Sequence, residues 1–109
     1  EAMVAAKEAA EEGIDCEVLD LRTLNPLDRE GLVASVAKTG RLIVAHEACK
    51  TAGPGAEIAQ SALEGAFDYL EAPIVRVAAA DQPIPVGSLQ DLVFPDKNSV
   101  LAAIREVMA

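Results

Sequence analysis

The chain has 109 residues, with 9 Lys plus Arg against 18 Asp plus Glu and a formal net charge of -9, which is one domain's worth of polypeptide. At 51% hydrophobic and 25% charged, it carries enough apolar side chain to bury a core and lacks the composition of a disordered segment. The acidic balance leaves too few cations for a phosphate-binding face, which argues against nucleic acid and favours basic partners. Aromatics at 3% with no Trp exclude stacking platforms for bases or sugars.

No apolar run approaches the roughly 18 to 20 residues a bilayer span requires, and the N-terminus lacks a charged-then-apolar signal pattern. The expectation is therefore no membrane partner and a cytoplasmic or organelle-matrix setting. Cys16 and Cys49 lack C-x-x-C spacing and share the chain with a single histidine, so neither a disulfide framework nor a zinc site is supported. Both cysteines read as small hydrophobes.

In chain order, Glu1 to Glu12 places Met3, Ala6 and Ala10 at helical spacing among charged residues, with Gly13 as C′. Cys16 to Leu21 reads as a strand, its apolar residues mostly alternating with acids. Asn25-Pro26 breaks the chain, and Asp28 caps a helix that turns Leu32, Val33 and Val36 inward and ends at Gly40. Arg41 to Ala45 is a continuous apolar strand of the kind buried in a parallel sheet, and His46 to Gly55 reads as the loop at its carboxyl end. The next helix carries Ile58, Ala59, Ala62, Leu63, Ala66, Phe67 and Leu70 on one face. Ile74 to Ala79 forms a third strand, and the proline-punctuated Asp81 to Gly87 is loop. Asp96 caps a last helix with Val100, Leu101, Ile104, Val107 and Met108 inward.

Alternating helices and strands predict a three-layer α/β domain, a mostly parallel sheet with helices on both faces joined by right-handed crossovers. Because the alternation starts on a helix, a strand preceding Glu1 is expected in the intact domain. Residues 1–109 are thus expected to be a single domain that lacks its first strand and comes from a longer polypeptide.

Few residues carry chemistry. Lys50 to Gly55 at a helix start could cradle an anion, but only Gly53 and Gly55 match a dinucleotide fingerprint, and Lys50 precedes the glycines, the wrong order for a P-loop. His46 beside Glu47 suggests an acid–base pair, yet neighbours on a strand point to opposite faces. Arg22 and Asp81 both follow strand ends and could meet at one edge of the sheet. No catalytic triad, Cys–His couple or metal cluster can be assembled.

The string Glu17 to Asp28, then Lys38 to Val44, then His46-Glu47-Ala48 with Gly53 to Ile58, closely resembles the C-terminal domain of the β subunit of 2-oxo acid dehydrogenase E1 components, within the transketolase C-terminal domain family. Phe67 to Pro73, Arg76-Val77, Asp81 to Pro85 and Phe94 to Asp96 extend the resemblance over nearly the whole chain. It implies a thiamine diphosphate enzyme that decarboxylates a 2-oxo acid, of the pyruvate, branched-chain or acetoin type, and passes the acyl group to a lipoyl-bearing E2. It also implies that thiamine diphosphate and Mg²⁺ are bound by domains absent from this chain, which holds no catalytic, cofactor-binding or metal-binding residue and is inactive alone. The implied roles are assembly with an E1 α subunit and a second β subunit, and docking of the peripheral-subunit-binding domain of E2. His46, Glu47, Arg22 and Asp81 become candidates for the edge of the active-site channel, and Glu71 for the acid facing E2. The sequence departs from the family at Gly53-Pro54-Gly55 and Val86-Gly87, which leaves the substrate open. Two other readings stand beside this one: the C-terminal domain of a transketolase or deoxyxylulose-phosphate synthase, and a nucleotide- or anion-binding module built on Lys50 to Gly55.

Overall fold

The computed structural model describes residues 1–109. Four α-helices, α1 (Ala2–Glu11), α2 (Arg29–Thr39), α3 (Pro54–Ala66) and α4 (Lys97–Met108), and two strands, β1 (Ile43–Cys49) and β2 (Val75–Ala79), follow in the order α1, α2, β1, α3, β2, α4. The strands pair in parallel, with Ile43 opposite Val75, Val44 opposite Arg76 and Ala45 opposite Val77. Helices α1 and α4 cover one face of this sheet and α2 and α3 the other. The expected three-layer parallel α/β architecture is present, built on two strands rather than three.

Alternation of side chains along the strands divides the core in two. Val77 packs with Ala5 and Ala9 of α1 and with Val100, Leu101 and Ile104 of α4. Val44 packs with Leu32 and Val36 of α2 and with Ile58, Ala62 and Ala66 of α3. The buried face of α1 is therefore Ala5 and Ala9, one turn apart, rather than Met3, Ala6 and Ala10. Alanine favours helix and lets α1 lie close to α4, while Met3 stays exposed.

Helix boundaries follow capping chemistry. The Asp28 carboxylate accepts from Gly31 N at 2.9 Å and opens α2, and Gly40 closes it in the left-handed region at φ 75. Asp96 opens α4 through a capping box with Ser99, satisfying two backbone donors that the helix leaves free. Ion pairs Glu8–Lys97 and Glu12–Arg105 clip α1 to α4. They lie at the surface, the first of them half-buried, and fix the two helices of this layer against each other more than they stabilise the fold.

Four further expectations are corrected. Cys16 to Leu21 forms no strand: no backbone partner runs beside it, and a strand exists only as part of a ladder. The strand expected to stop at Ala45 continues to Cys49, so His46 and Glu47 lie on β1 rather than in a loop. Helix α3 ends at Ala66 and passes into a 3-10 turn, Phe67–Tyr69, which swings Phe67 out to 68% exposure. Met108, at the frayed end of α4, is likewise exposed.

Candidate functional site

Both strands deliver their carboxyl ends to one edge of the molecule, where the loop after β1 meets the loop after β2. Lys50 N donates to Ala79 O at 3.1 Å and continues the ladder past the strand end. Beyond it, Thr51 donates its backbone N–H to Asp81 Oδ1 at 2.8 Å and its hydroxyl to Asp81 Oδ2. Arg76 Nη1 reaches back to Lys50 O at 3.0 Å. The hydroxyl of Thr51 foremost, and its backbone N–H next, hold the Asp81 carboxyl below its ordinary value of 3.8, because both donors favour the charged form. Asp81 is thus a clasp between two loops.

His46 points from β1 toward the start of α3. Its Nδ1 lies 3.0 Å from Ala48 O, a bond in which the ring donates, so Nδ1 carries the hydrogen and Nε2 is left as an acceptor. Nε2 is buried without a partner. A Cβ at residue 55 would stand 2.5 Å from Nε2 and 2.8 Å from Cδ2, and a Cβ at residue 53 would stand 2.2 Å from Cys49 O. Close approach therefore demands glycine at both positions. The Lys50 to Gly55 turn is packed with its own carbonyl and with an imidazole edge, and this leaves little of the open cradle that an anion-binding helix start presents.

The other candidates disperse. Glu47 is exposed and makes no hydrogen bond or ion pair within the chain, on the strand face opposite His46. Arg22, at φ 60, is held by Asp20, with its N–H 3.1 Å from Oδ1 and its Nε 4.0 Å from Oδ2, so it does not meet Asp81. The Glu71 carboxylate is taken by Arg41 Nη1 at 2.7 Å, while Arg41 Nε donates to Val107 O at 2.9 Å. Glu71 borders a hollow of ≈ 800 Å³ that also takes in Leu63, Phe67 and Arg76. Burial pushes the Cys16 thiol up, helped by Asp15, as befits a packed hydrophobe rather than a reactive group. Sequence reasoning had Thr51 only as part of the Lys50 to Gly55 turn and missed its pairing with Asp81; its place just after an apolar strand is the one signal that could have found it.

No group of three or more His, Cys, Asp or Glu side chains converges to hold a metal ion. The residues present therefore do not build the Mg²⁺–diphosphate site that the resemblance places in other domains. No helix is long and apolar enough to cross a membrane.

The family described as "Transketolase, C-terminal domain" matches residues 1–100. The chain belongs to that family. Among curated relatives, it is 45% identical over 107 residues to the pyruvate dehydrogenase E1 component subunit beta of Rickettsia conorii, covering 97% of this chain and 33% of the relative. It is 49% identical over 105 residues to the 2-oxoisovalerate dehydrogenase subunit beta of Pseudomonas aeruginosa, covering 96% and 30%. A solved structure described as a split gene transketolase, inactive beta4 tetramer, superposes with a TM-score of 0.80 at 31% identity, covering 98% of this chain and 34% of that one. The chain thus spans about a third of the length of the relatives it matches. This family fold positions the Thr51–Asp81 clasp and His46 together at the carboxyl edge of the parallel sheet.

Proposed function

We propose that residues 1–109 act as the C-terminal assembly and E2-docking domain of the β subunit of a thiamine diphosphate-dependent 2-oxo acid dehydrogenase E1, within a longer polypeptide. One observation carries this reading: identities of 45% and 49% extend over nearly the whole chain to β subunits of enzymes named for two different 2-oxo acids. A domain alike in both enzymes serves what they share, assembly and acyl hand-over, more than what distinguishes their substrates. The intact enzyme would be an oxidoreductase of a multienzyme complex in the cytoplasm or an organelle matrix, with thiamine diphosphate and Mg²⁺ bound by its other domains. Its partners would be an E1 α subunit, a second β subunit and the peripheral-subunit-binding domain of E2.

In this reading His46, Glu47, Arg22 and Asp81 border the active-site channel as shape and charge, with the Thr51–Asp81 clasp fixing the loop between them. E2 docking uses the edge around Glu71, where exposed Phe67 and Tyr69 add apolar contact to the acidic rim. A net charge of -9 suits a basic partner, and the complementarity speeds encounter and selects orientation. The packed Lys50 to Gly55 turn speaks against the anion-binding module.

The experiment is a calorimetric titration of this chain with the peripheral-subunit-binding domain of a branched-chain E2, at low and high salt. Saturable binding that weakens with salt, and weakens further in Phe67→Ser, is the expected result. Absence of binding by a chain shown to be folded would overturn the docking role. A thermal shift on adding thiamine diphosphate and Mg²⁺ would overturn the placement of the cofactor in other domains.

A further inference from the structure

The acid at the docking edge is held in place from three sides. Glu71 donates its backbone N–H to Gly40 O at 2.8 Å, which fixes its Cα. Its side chain then lies across the bare backbone of Gly40, where a Cβ would stand 3.0 Å from Cδ, 3.1 Å from Cγ and 3.3 Å from Oε1. At the tip, Oε2 accepts from Arg41 Nη1 at 2.7 Å, and no hydrogen bond within the chain uses Oε1. Backbone, stem and head of this glutamate are all set, and one carboxylate oxygen is left open.

Arg41 is itself anchored. It follows Gly40, whose left-handed φ of 75 ends α2, and its Nε donates to Val107 O at 2.9 Å. Val107 lies in the last turn of α4, where carbonyls lack partners within the helix and the helix dipole favours a cation. One guanidinium therefore ties the end of α4 to the Glu71 carboxylate, with a separate N–H of its rigid fork for each. Stability does not account for the pair: the Glu71 side chain is 62% exposed, and an ion pair that open to water contributes little to folding. What the pair secures is geometry. A glutamate free in water samples many rotamers, and an interface that uses it has to order them.

We propose that Arg41 is the positioning residue of the docking surface: by holding Glu71 through Oε2, it presents Oε1 to a cationic side chain of the E2 domain. This rests on the docking role proposed above and adds which residue prepares the acid, and how. A partner cation meeting Oε1 completes a row of alternating charges, with Arg41 and the partner on different oxygens of one carboxylate. Arg41 keeps its bond to Val107 O throughout, so docking leaves the last turn of α4 in place. The charge of Arg41 also repels the partner's cation. An arginine that merely competed for Glu71 would therefore oppose docking, whereas one that positions the acid favours it, and the sign of its removal separates the two.

The test is a calorimetric cycle on the chain and four variants, with the peripheral-subunit-binding domain of a branched-chain E2 as the probe. Glu71→Gln is expected to weaken binding about tenfold, the loss of one charge-assisted bond. Arg41→Gln is expected to weaken it about three- to tenfold, the cost of ordering one long side chain at the interface. In the double variant, Arg41→Gln is expected to add no loss to that of Glu71→Gln, because it acts through that residue; a loss caused by a damaged fold would add instead. Arg41→Lys keeps the charge but brings one head group to two acceptors, and is expected to bind as weakly as Arg41→Gln. Binding by Arg41→Gln that matches or exceeds that of the unmodified chain overturns the proposal, as do additive losses in the double variant or full binding by Arg41→Lys. Should Arg41→Gln not fold, the unmodified chain still decides: the Arg41 Nε–H, followed by NMR, is expected to stay protected from exchange when the chain is saturated with the domain. Its exposure would show that the partner displaces Arg41, which also overturns the proposal. Binding unaffected by Glu71→Gln refutes the positioning role and leaves docking to another face. Absence of binding by the unmodified, folded chain refutes the docking reading, and the positioning role falls with it.

Discussion

The packing of His46 against the start of α3 can be measured by a double-mutant cycle. In Gly55→Ala the new methyl carbon would stand 2.5 Å from His46 Nε2, 2.8 Å from Cδ2 and 3.5 Å from Val44 Cγ1. The imidazole must give way, because Val44 is buried behind it. If the ring swings out, it loses the Nδ1–H to Ala48 O bond, worth about 1 kcal/mol net; if it stays, overpacking costs about 1–3 kcal/mol. The helix gains up to about 1 kcal/mol from replacing glycine by alanine, so the single substitution shows only a reduced net loss. His46→Ala removes the obstruction and exposes the whole propensity gain. The cycle over the single and double variants cancels that gain and isolates the clash, with an expected coupling of about 1–2 kcal/mol in denaturant unfolding at constant m-value. A coupling below about 0.3 kcal/mol, the range in which independent sites add, would show that the ring does not occupy the space above Gly55. The packing argument against an anion cradle would then fall with it.

Thr51→Val removes the hydroxyl donor from Asp81 and leaves the backbone N–H, so the Asp81 carboxyl should titrate closer to 3.8 in the variant, read by carboxyl carbon NMR. The sign follows from the depressed folded-state pKa: the clasp stabilises fully above the unfolded value of 3.8 and is lost as pH falls through the folded value. Acid unfolding of the variant should therefore be less steep in that window; an unchanged Asp81 titration would show that Thr51 is not its donor. Ile104→Ala empties a buried position in the α1/α4 cluster and should cost about 2–5 kcal/mol. A loss below 1 kcal/mol on that scale would mean that α4 does not pack on the sheet as described. Asp28→Ala removes the cap on Gly31 N and should cost about 1 kcal/mol, with Asp28→Asn retaining most of it. Equal losses in both would assign the effect to charge rather than capping.

Helices were the most legible part of the chain because their signals are local. Asp28 and Gly40 bracket α2, and Asp96 opens α4, through bonds made within a few residues of sequence. The inward face of α2, and that of α4 as far as Val107, followed from spacing alone, whereas that of α1 did not: its alanines have no hydrophobic contrast to reveal which side packs. The resemblance, carried by strings such as Asp20 to Asp28, led to the family that matches residues 1–100. Of the candidate site, the strand-end position was readable and the contacts were not. Arg22 turned to its neighbour Asp20, Asp81 found Thr51 from 30 residues away, and Glu71 was engaged by Arg41.

By itself, then, the sequence determined the four helices, the capped limits of α2 and the start of α4, the parallel three-layer class and the family, all of which rest on periodicity, caps and short strings. Tertiary structure alone decided whether an apolar, extended stretch became a strand. Cys16 to Leu21 and Ile43 to Cys49 both read as strand in the sequence, at least in part, yet only the second has a neighbour to complete its ladder, and a strand's hydrogen bonds, unlike a helix's, are made to another part of the chain. The same physical reason separates the legible from the illegible in the site. The glycines of the Gly53-Pro54-Gly55 turn are visible as residues, but their necessity comes from an imidazole and a carbonyl that the fold brings against them.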